Sequence, residues 1–271
     1  MHIFKHTRRY FLYLTIAALL VASGSALRAR QQQTSLRVAA AADLQFALKD
    51  IAQQYEHQTG RKVEVTFGSS GNFFAQLQNG APFDVFFSAD VEYAARLEQS
   101  NLIEPKSLLK YAVGKIVIWM PAGSRIDLAG RKWDALLDPT VQKIAIANPE
   151  HAPYGRAAVD ALKHAGLYEK VQPKLVYGEN ISQAAQFVQS GNAQAGIIAL
   201  SLAVSPAMKS GQRWGIPVDQ YASIEQAAVI LKSARDKDAA RAFLAFVSGD
   251  AGQRTLGNFG FAIPKVASPT N

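Results

Sequence analysis

The sequence contains no cysteine. This excludes disulfide scaffolds, thiolate zinc sites, iron–sulfur clusters and cysteine nucleophiles. It suits an oxidising compartment without proving one. Histidine is scarce, with five residues, two of which (His2 and His6) lie in the first ten. His57 and His164 fall late in expected helices, where a surface place near the C-terminal dipole is the default. Only His151 stands in a loop, between Pro149 and Pro153, so no histidine-built metal site is expected. Charged residues are 18% of the chain, with no Lys/Arg block and no aromatic interleaving, so no nucleic-acid groove is expected. Gly and Pro total 30 of 271 residues, which rules out collagen-like and low-complexity classes. No Gly-x-Ser-x-Gly elbow, His-Glu-x-x-His, Walker or dinucleotide glycine pattern occurs, and no solenoid-period repeat.

What remains is an apolar chain. Hydrophobic residues make up 49% of it, enough for one large or two medium cores. The formal charge is +8. Residues 1–26 carry Lys5, Arg8 and Arg9 and no acid, and the remainder holds 26 basic and 21 acidic residues. A mildly positive surface favours anionic ligands through the long-range field.

The N-terminus has the three parts of an export signal. Residues 1–10 are basic, Phe11 to Ala22 is uncharged and apolar, and Ser23-Gly24-Ser25-Ala26 supplies small residues for cleavage. The apolar run is shorter than the ~20 residues that span a bilayer. Residues 1–26 are therefore read as a signal peptide cleaved after Ala26, and 27–35 as a polar tether. Arg8-Arg9 also resembles a twin-arginine signal.

Beyond the tether, strands and helices alternate. Strands are expected at Leu36 to Ala41, Val63 to Phe67, Phe83 to Phe87, Ala112 to Met120, Lys143 to Ala147, Lys174 to Tyr177, Ala195 to Ala199 and Ala227 to Leu231. Asp43 is expected to cap a helix whose apolar positions Leu44, Ala47, Leu48, Ile51, Ala52 and Tyr55 share one face, ended by Gly60. Further helices are expected from Asn72, Asp90, Trp133, Tyr154, Ile181, Lys237 and Ala251. The alternation predicts an α/β fold with mostly parallel sheets. The length and the returning helical hairpin predict two lobes: lobe 1 from 36–116 and 226–271, lobe 2 from 117–225. Ligands of such sheets sit at strand carboxyl ends, at helix N-termini.

Four strand-to-helix turns offer free N–H groups there: Ala40 to Asp43, Gly68 to Gly71, Asn148 to Gly155, and Gly178 to Ile181. Such groups and the helix dipole bind anions without a formal positive charge. Each turn also has a plain structural reading, since Ser and Asp are good helix caps.

Together these motifs resemble the periplasmic molybdate-binding component of a molybdate ABC importer, from about Leu36 to Pro264. The markers are Ala-Ala-Ala-Asp-Leu at 40–44, Gly-Ser-Ser-Gly at 68–71, Asn-Gly-Ala-Pro-Phe-Asp-Val-Phe-Phe-Ser-Ala-Asp at 79–90, Tyr-Ala-Val-Gly-Lys at 111–115, Ala-Asn-Pro-Glu-His-Ala-Pro-Tyr-Gly at 147–155 and Gln-Ala-Ala-Val-Ile at 226–230. The resemblance implies a type II periplasmic solute-binding fold, with two α/β lobes joined by a two-stranded hinge. It implies a non-enzyme, acting as a monomer in the periplasm. The implied ligand is molybdate, with tungstate as a second candidate. The implied partner is a membrane permease, and no cofactor is implied. Oxyanion contacts are implied for Ala42, Asp43, Ser70, Tyr154 and Ile181: a hydroxyl and N–H from Ser70, a backbone N–H from Ile181.

Two alternatives stay open: another oxyanion or small carboxylate on the same fold, and a secreted hydrolase using Ser70 with His151. Asp43 departs from the family, whose first loop reads Ala-Ser or Thr-Asn. At ~4 Å and an effective dielectric near 20, two unit charges repel by about 4 kcal/mol, and a dianion roughly doubles that. Asp43 must therefore cap its helix, carry a proton, or meet an anion that carries one.

Overall fold

The computed structural model describes residues 35–264. The expected signal peptide at 1–26, its cleavage after Ala26 and nearly all of the tether lie outside the described residues. In chain order the strands are β1 (Leu36–Ala41), β2 (Val63–Gly68), β3 (Val85–Ser88), β4 (Leu109–Gly114), β5 (Ile116–Met120), β6 (Ile144–Ala147), β7 (Leu175–Gly178), β8 (Ala195–Ala199), β9 (Gln212–Gly215) and β10 (Ile224–Ile230). They form two five-stranded sheets, ordered β2-β1-β3-β10-β4 and β7-β6-β8-β5-β9.

Both sheets follow one plan. Three strands are parallel (β2, β1 and β3; β7, β6 and β8), and the other two add antiparallel pairings. The α/β architecture in two lobes matches the expectation, but the sheets are mixed rather than mostly parallel. The cause is the crossover. The chain leaves the first sheet along β4, enters the second along β5 and returns from β9 into β10, so β10 runs against both β3 and β4. Ala112 to Met120, expected as one strand, is thus two strands in different sheets, parted at Lys115. The second passage occupies residues 216–223.

Burial explains the strands. β1, β3, β5, β6 and β8 are buried almost throughout, as strands covered on both faces must be. On one face of the first sheet, Phe87 packs with Tyr55 and Phe243 from the helices Ala47–Thr59 and Lys237–Ser248. On the other, Phe86 packs with Phe73 and Leu97 from the helices Ser70–Gln78 and Val91–Gln99. A separate cluster around Ile118, Ile146 and Ile197 fills the second lobe. Gly60 ends its helix with φ +71°, a left-handed turn that glycine adopts without cost. Among the described residues, no helix is long and apolar enough to cross a membrane.

Candidate functional site

Four turns meet where the carboxyl ends of the two sheets face each other. Ala41-Ala42-Asp43 follows β1 and Gly68-Ser69-Ser70 follows β2. Ala152-Pro153-Tyr154 follows β6, and Asn180-Ile181 follows β7. With Ala89 they line one small cavity. All five expected site residues, Ala42, Asp43, Ser70, Tyr154 and Ile181, line it.

Ser70 is 1% exposed and opens the helix Ser70–Gln78. Its Oγ accepts a hydrogen bond from the Ala89 N–H at 2.9 Å, which leaves its own proton to donate. Ser69 is the N-cap, its Oγ accepting from the Asn72 N–H at 3.3 Å. In the other lobe, Ile181 opens the helix Ile181–Gln189 behind the N-cap Asn180. The Asn180 side-chain Oδ1 accepts from the N–H groups of Ser182 and Gln183 at 3.0 and 3.1 Å. Two helix N-termini from opposite lobes thus turn N–H groups and positive dipole ends toward one small space. Ala42 contributes backbone only.

Asp43 does not cap a helix, contrary to the sequence expectation. It lies in a single 3-10 turn, Ala42–Leu44, with no side-chain cap, and the α-helix begins at Ala47. Stronger donors hold the carboxylate elsewhere. Its Oδ2 accepts from Gln226 Nε2 at 2.6 Å and from the Tyr154 hydroxyl at 2.8 Å. Gln226 Nε2 also donates to the Tyr154 hydroxyl at 3.0 Å, and the Tyr111 hydroxyl donates to Gln226 Oε1 at 2.6 Å. Ser201 donates to the Asp43 carbonyl at 2.7 Å. Asp43 Oδ1 is buried and has no hydrogen-bond partner. Burial pushes the Asp43 carboxyl from 3.8 up to about 6, against the opposing pull of Gln226 and Tyr154. Burial, and then the charge of Asp43, push the phenols of Tyr111 and Tyr154 well above their ordinary range. Tyr154 therefore keeps its proton and donates its hydrogen bond to Asp43, and its residue lines the cavity.

His151 pairs with Ser69, not Ser70: Ser69 Oγ and His151 Nδ1 share a hydrogen bond of 3.0 Å. The Ser70–His151 pair that a hydrolase needs is not formed. Instead His151 belongs to a seam of contacts between the lobes. The Gly71 N–H donates to the His151 carbonyl at 2.9 Å, and a Cβ on Gly71 would lie 2.6 Å from that oxygen. His151 Nε2 lies 3.8 Å from Glu179 Oε2. Asn72 donates to Glu179, Ser182 to Gln45, and Arg156 to Asp90 across the same seam. The lobes are closed on each other. Among the described residues, no group of His, Asp and Glu is placed to hold a metal ion.

Gln226, Tyr111, Ser69 and Ser201 were not expected at the site. Gln226 had a signal: it is a polar residue, 0% exposed, directly before the apolar run Ala227–Ile230 of β10. A buried amide needs partners, and these are Asp43, Tyr154 and Tyr111.

Residues 36–262 match the family described as bacterial extracellular solute-binding protein. The chain is 39% identical over 251 residues to the molybdate-binding protein ModA of Azotobacter vinelandii, covering 92% of this chain and 98% of that one. It is 36% identical to ModA of Rhodobacter capsulatus, covering 90% and 94%. The solved structure of the A. vinelandii periplasmic molybdate-binding protein superposes with a TM-score of 0.80 at 35% identity, covering 85% of this chain and all of the other. The chain belongs to the bacterial extracellular solute-binding proteins, and it is a binding protein rather than an enzyme.

Proposed function

We propose that this solute-binding protein captures molybdate in the cavity between its lobes and delivers it to the membrane permease of an ABC importer. One observation carries the reading. Two helix N-termini from opposite lobes and the Ser70 hydroxyl converge on a small cavity that, among the described residues, no cationic side chain lines. Neutral donors suit a fully ionised dianion, because each supplies a partial positive charge without a competing counter-ion. The identity to proteins named for molybdate supports the choice of metal oxyanion. Tungstate, with the same charge and tetrahedral shape, belongs to the same reading. The residues named bond to oxygens of the anion and none ligates its metal. The protein works as a monomer in the periplasm, freed by cleavage after Ala26, with no cofactor of its own.

A thermal-shift screen tests this against molybdate, tungstate, sulfate, phosphate and citrate. Binding to the folded state alone raises stability by about 2.7 kcal/mol at a hundredfold excess over Kd. The expected result is a rise in melting temperature with molybdate and tungstate, well above that with sulfate. The buried Asp43 carboxyl favours one rival, an anion that carries its own proton, such as hydrogen phosphate. A shift with phosphate and none with molybdate would select the rival.

A further inference from the structure

Among the described residues, Asp43 is the only carboxylate that lines the cavity. Its two oxygens are in different states. Oδ2 already accepts from Gln226 and Tyr154, at 2.6 and 2.8 Å, which fixes the plane of the carboxyl group. Oδ1 is buried and has no partner at good hydrogen-bond geometry, with only the backbone N–H groups of Asp43 and Leu44 pulling weakly on the carboxyl group. A proton added to this group cannot sit on Oδ2, where two donors already point. It goes to Oδ1, and no protein acceptor is within bonding distance there. An anion in the cavity supplies the acceptor.

We propose that Asp43 takes up one proton from water on Oδ1 when the oxyanion binds and donates it to an oxygen of that anion, so that capture of the dianion is coupled to proton uptake. This rests on the oxyanion reading above. In this arrangement Asp43 is a specificity-determining donor whose charge state decides whether a dianion is accepted. Its ionised form repels the dianion, and its neutral form adds a hydrogen bond.

The surroundings leave Asp43 as the group that titrates. Tyr154, from the helix Pro153–His164, faces it directly, and Tyr111, from β4, faces it through Gln226. Both are buried phenols held neutral far above physiological pH. The helix Ile181–Gln189 and the turn Leu200–Ala203, packed on the Asp43 turn, carry no ionisable residue. Lys49 and Asp50 on the helix Ala47–Thr59, and Glu64 on β2, are exposed to solvent. Burial already places the carboxyl at about 6. A dianion at hydrogen-bond distance raises it further, so proton uptake occurs above that pH. Affinity is then flat below about pH 6 and falls up to about tenfold per pH unit above it.

The test is calorimetric titration of the full mature protein with sodium molybdate from pH ~5.5 to ~8.5, in two buffers of different ionisation enthalpy. The wild type is expected to take up close to one proton per ion near pH ~8, read from the buffer dependence of the heat, with the affinity slope above. Asp43→Asn carries a permanent amide donor at the same place. It is expected to tighten binding by about 10- to 100-fold at pH ~8, with a flat pH profile and no buffer-dependent heat. Wild-type binding with a flat profile and no proton uptake overturns the proposal and leaves the oxyanion reading standing. So does proton uptake that persists in Asp43→Asn. Asp43→Ser repeats the comparison if the Asn variant does not fold, and the wild-type proton count needs no variant. A wild type that binds no molybdate overturns both readings.

Discussion

Single residues decide what the cavity accepts. Ser70 is buried, bonded as an acceptor to Ala89, and has a proton left to give. Losing one hydrogen bond to a charged group costs roughly 1.5–3 kcal/mol, or about 10- to 100-fold in affinity. Ser70→Ala is therefore expected to weaken molybdate binding by that factor while the melting temperature of the free protein stays within a few degrees; wild-type affinity in calorimetry would remove Ser70 from the site. Asp43 also affects stability without ligand. Its folded pKa of about 6 lies above the ordinary 3.8, so the folded state holds the proton more tightly than the unfolded chain. The resulting stability is fully present below pH ~4 and is lost as pH rises through ~6, about 3 kcal/mol in all. Carboxylates with lowered values titrate below this window, such as Asp138, which Thr140 and Arg131 hold at about 2. Asp43→Asn is expected to match the wild type near pH ~4 and to melt several degrees higher near pH ~8. A difference that does not change with pH would show that Asp43 titrates alike in both states. The sequence made Asp43 conspicuous as an acid in an anion loop but misplaced its side chain, because its partners are 111 and 183 residues away. Local capping rules do not see donors that distant.

Elements set where those residues meet. The helices were readable because their signals are local: the caps Ser69 and Asn180, the apolar stripe of Ala47–Thr59, the stop at Gly60. The strand ends were not. Apolar residues run unbroken through Ala112 to Met120, apart from Gly114 and Lys115, and give no sign that the chain changes sheets there. β9, Gln-Arg-Trp-Gly, lacks any apolar run. β10 starts at Ile224, three residues earlier than expected, and so takes in Gln226. At the seam, the start of the helix Ser70–Gln78 touches the His151 loop through Gly71. A Cβ there would lie 2.6 Å from the His151 carbonyl and 2.8 Å from the Tyr93 hydroxyl. Gly71→Ala strains the closed form by about 1–3 kcal/mol through the His151 carbonyl of the other lobe, whereas the Tyr93 hydroxyl, the far end of a side chain in Gly71's own lobe, shifts aside in either form. The expected result is molybdate affinity reduced by about 5- to 100-fold, with little change in the stability of the free protein. Unaltered affinity would mean that this contact is not part of the closed, ligand-holding state.

At the scale of the whole molecule, the lobes contribute separate halves of one donor set and are joined by two crossings of the chain. A ligand bound by both halves favours the closed form and shifts the population toward it. Small-angle scattering is expected to show a smaller radius of gyration with molybdate than without it. A profile unchanged by saturating ligand would count against ligand-driven closure, unless the contacts of Arg156 with Asp90 and of Asn72 with Glu179 already hold the free protein closed. The two-lobed plan was legible in the sequence from the alternation of strands and helices and from the marker stretches. The mixed sheets were not, since strand direction depends on where the chain crosses over. The central claim is that one tetrahedral oxyanion sits between the Ser70 and Ile181 helix starts. The most direct test is an anomalous difference map from crystals grown with molybdate, measured at the molybdenum absorption edge. One strong peak is expected in that cavity, with an oxygen within hydrogen-bond distance of Ser70 Oγ and another near the Ile181 N–H. A peak elsewhere, or an empty cavity in crystals saturated with molybdate, would contradict the claim.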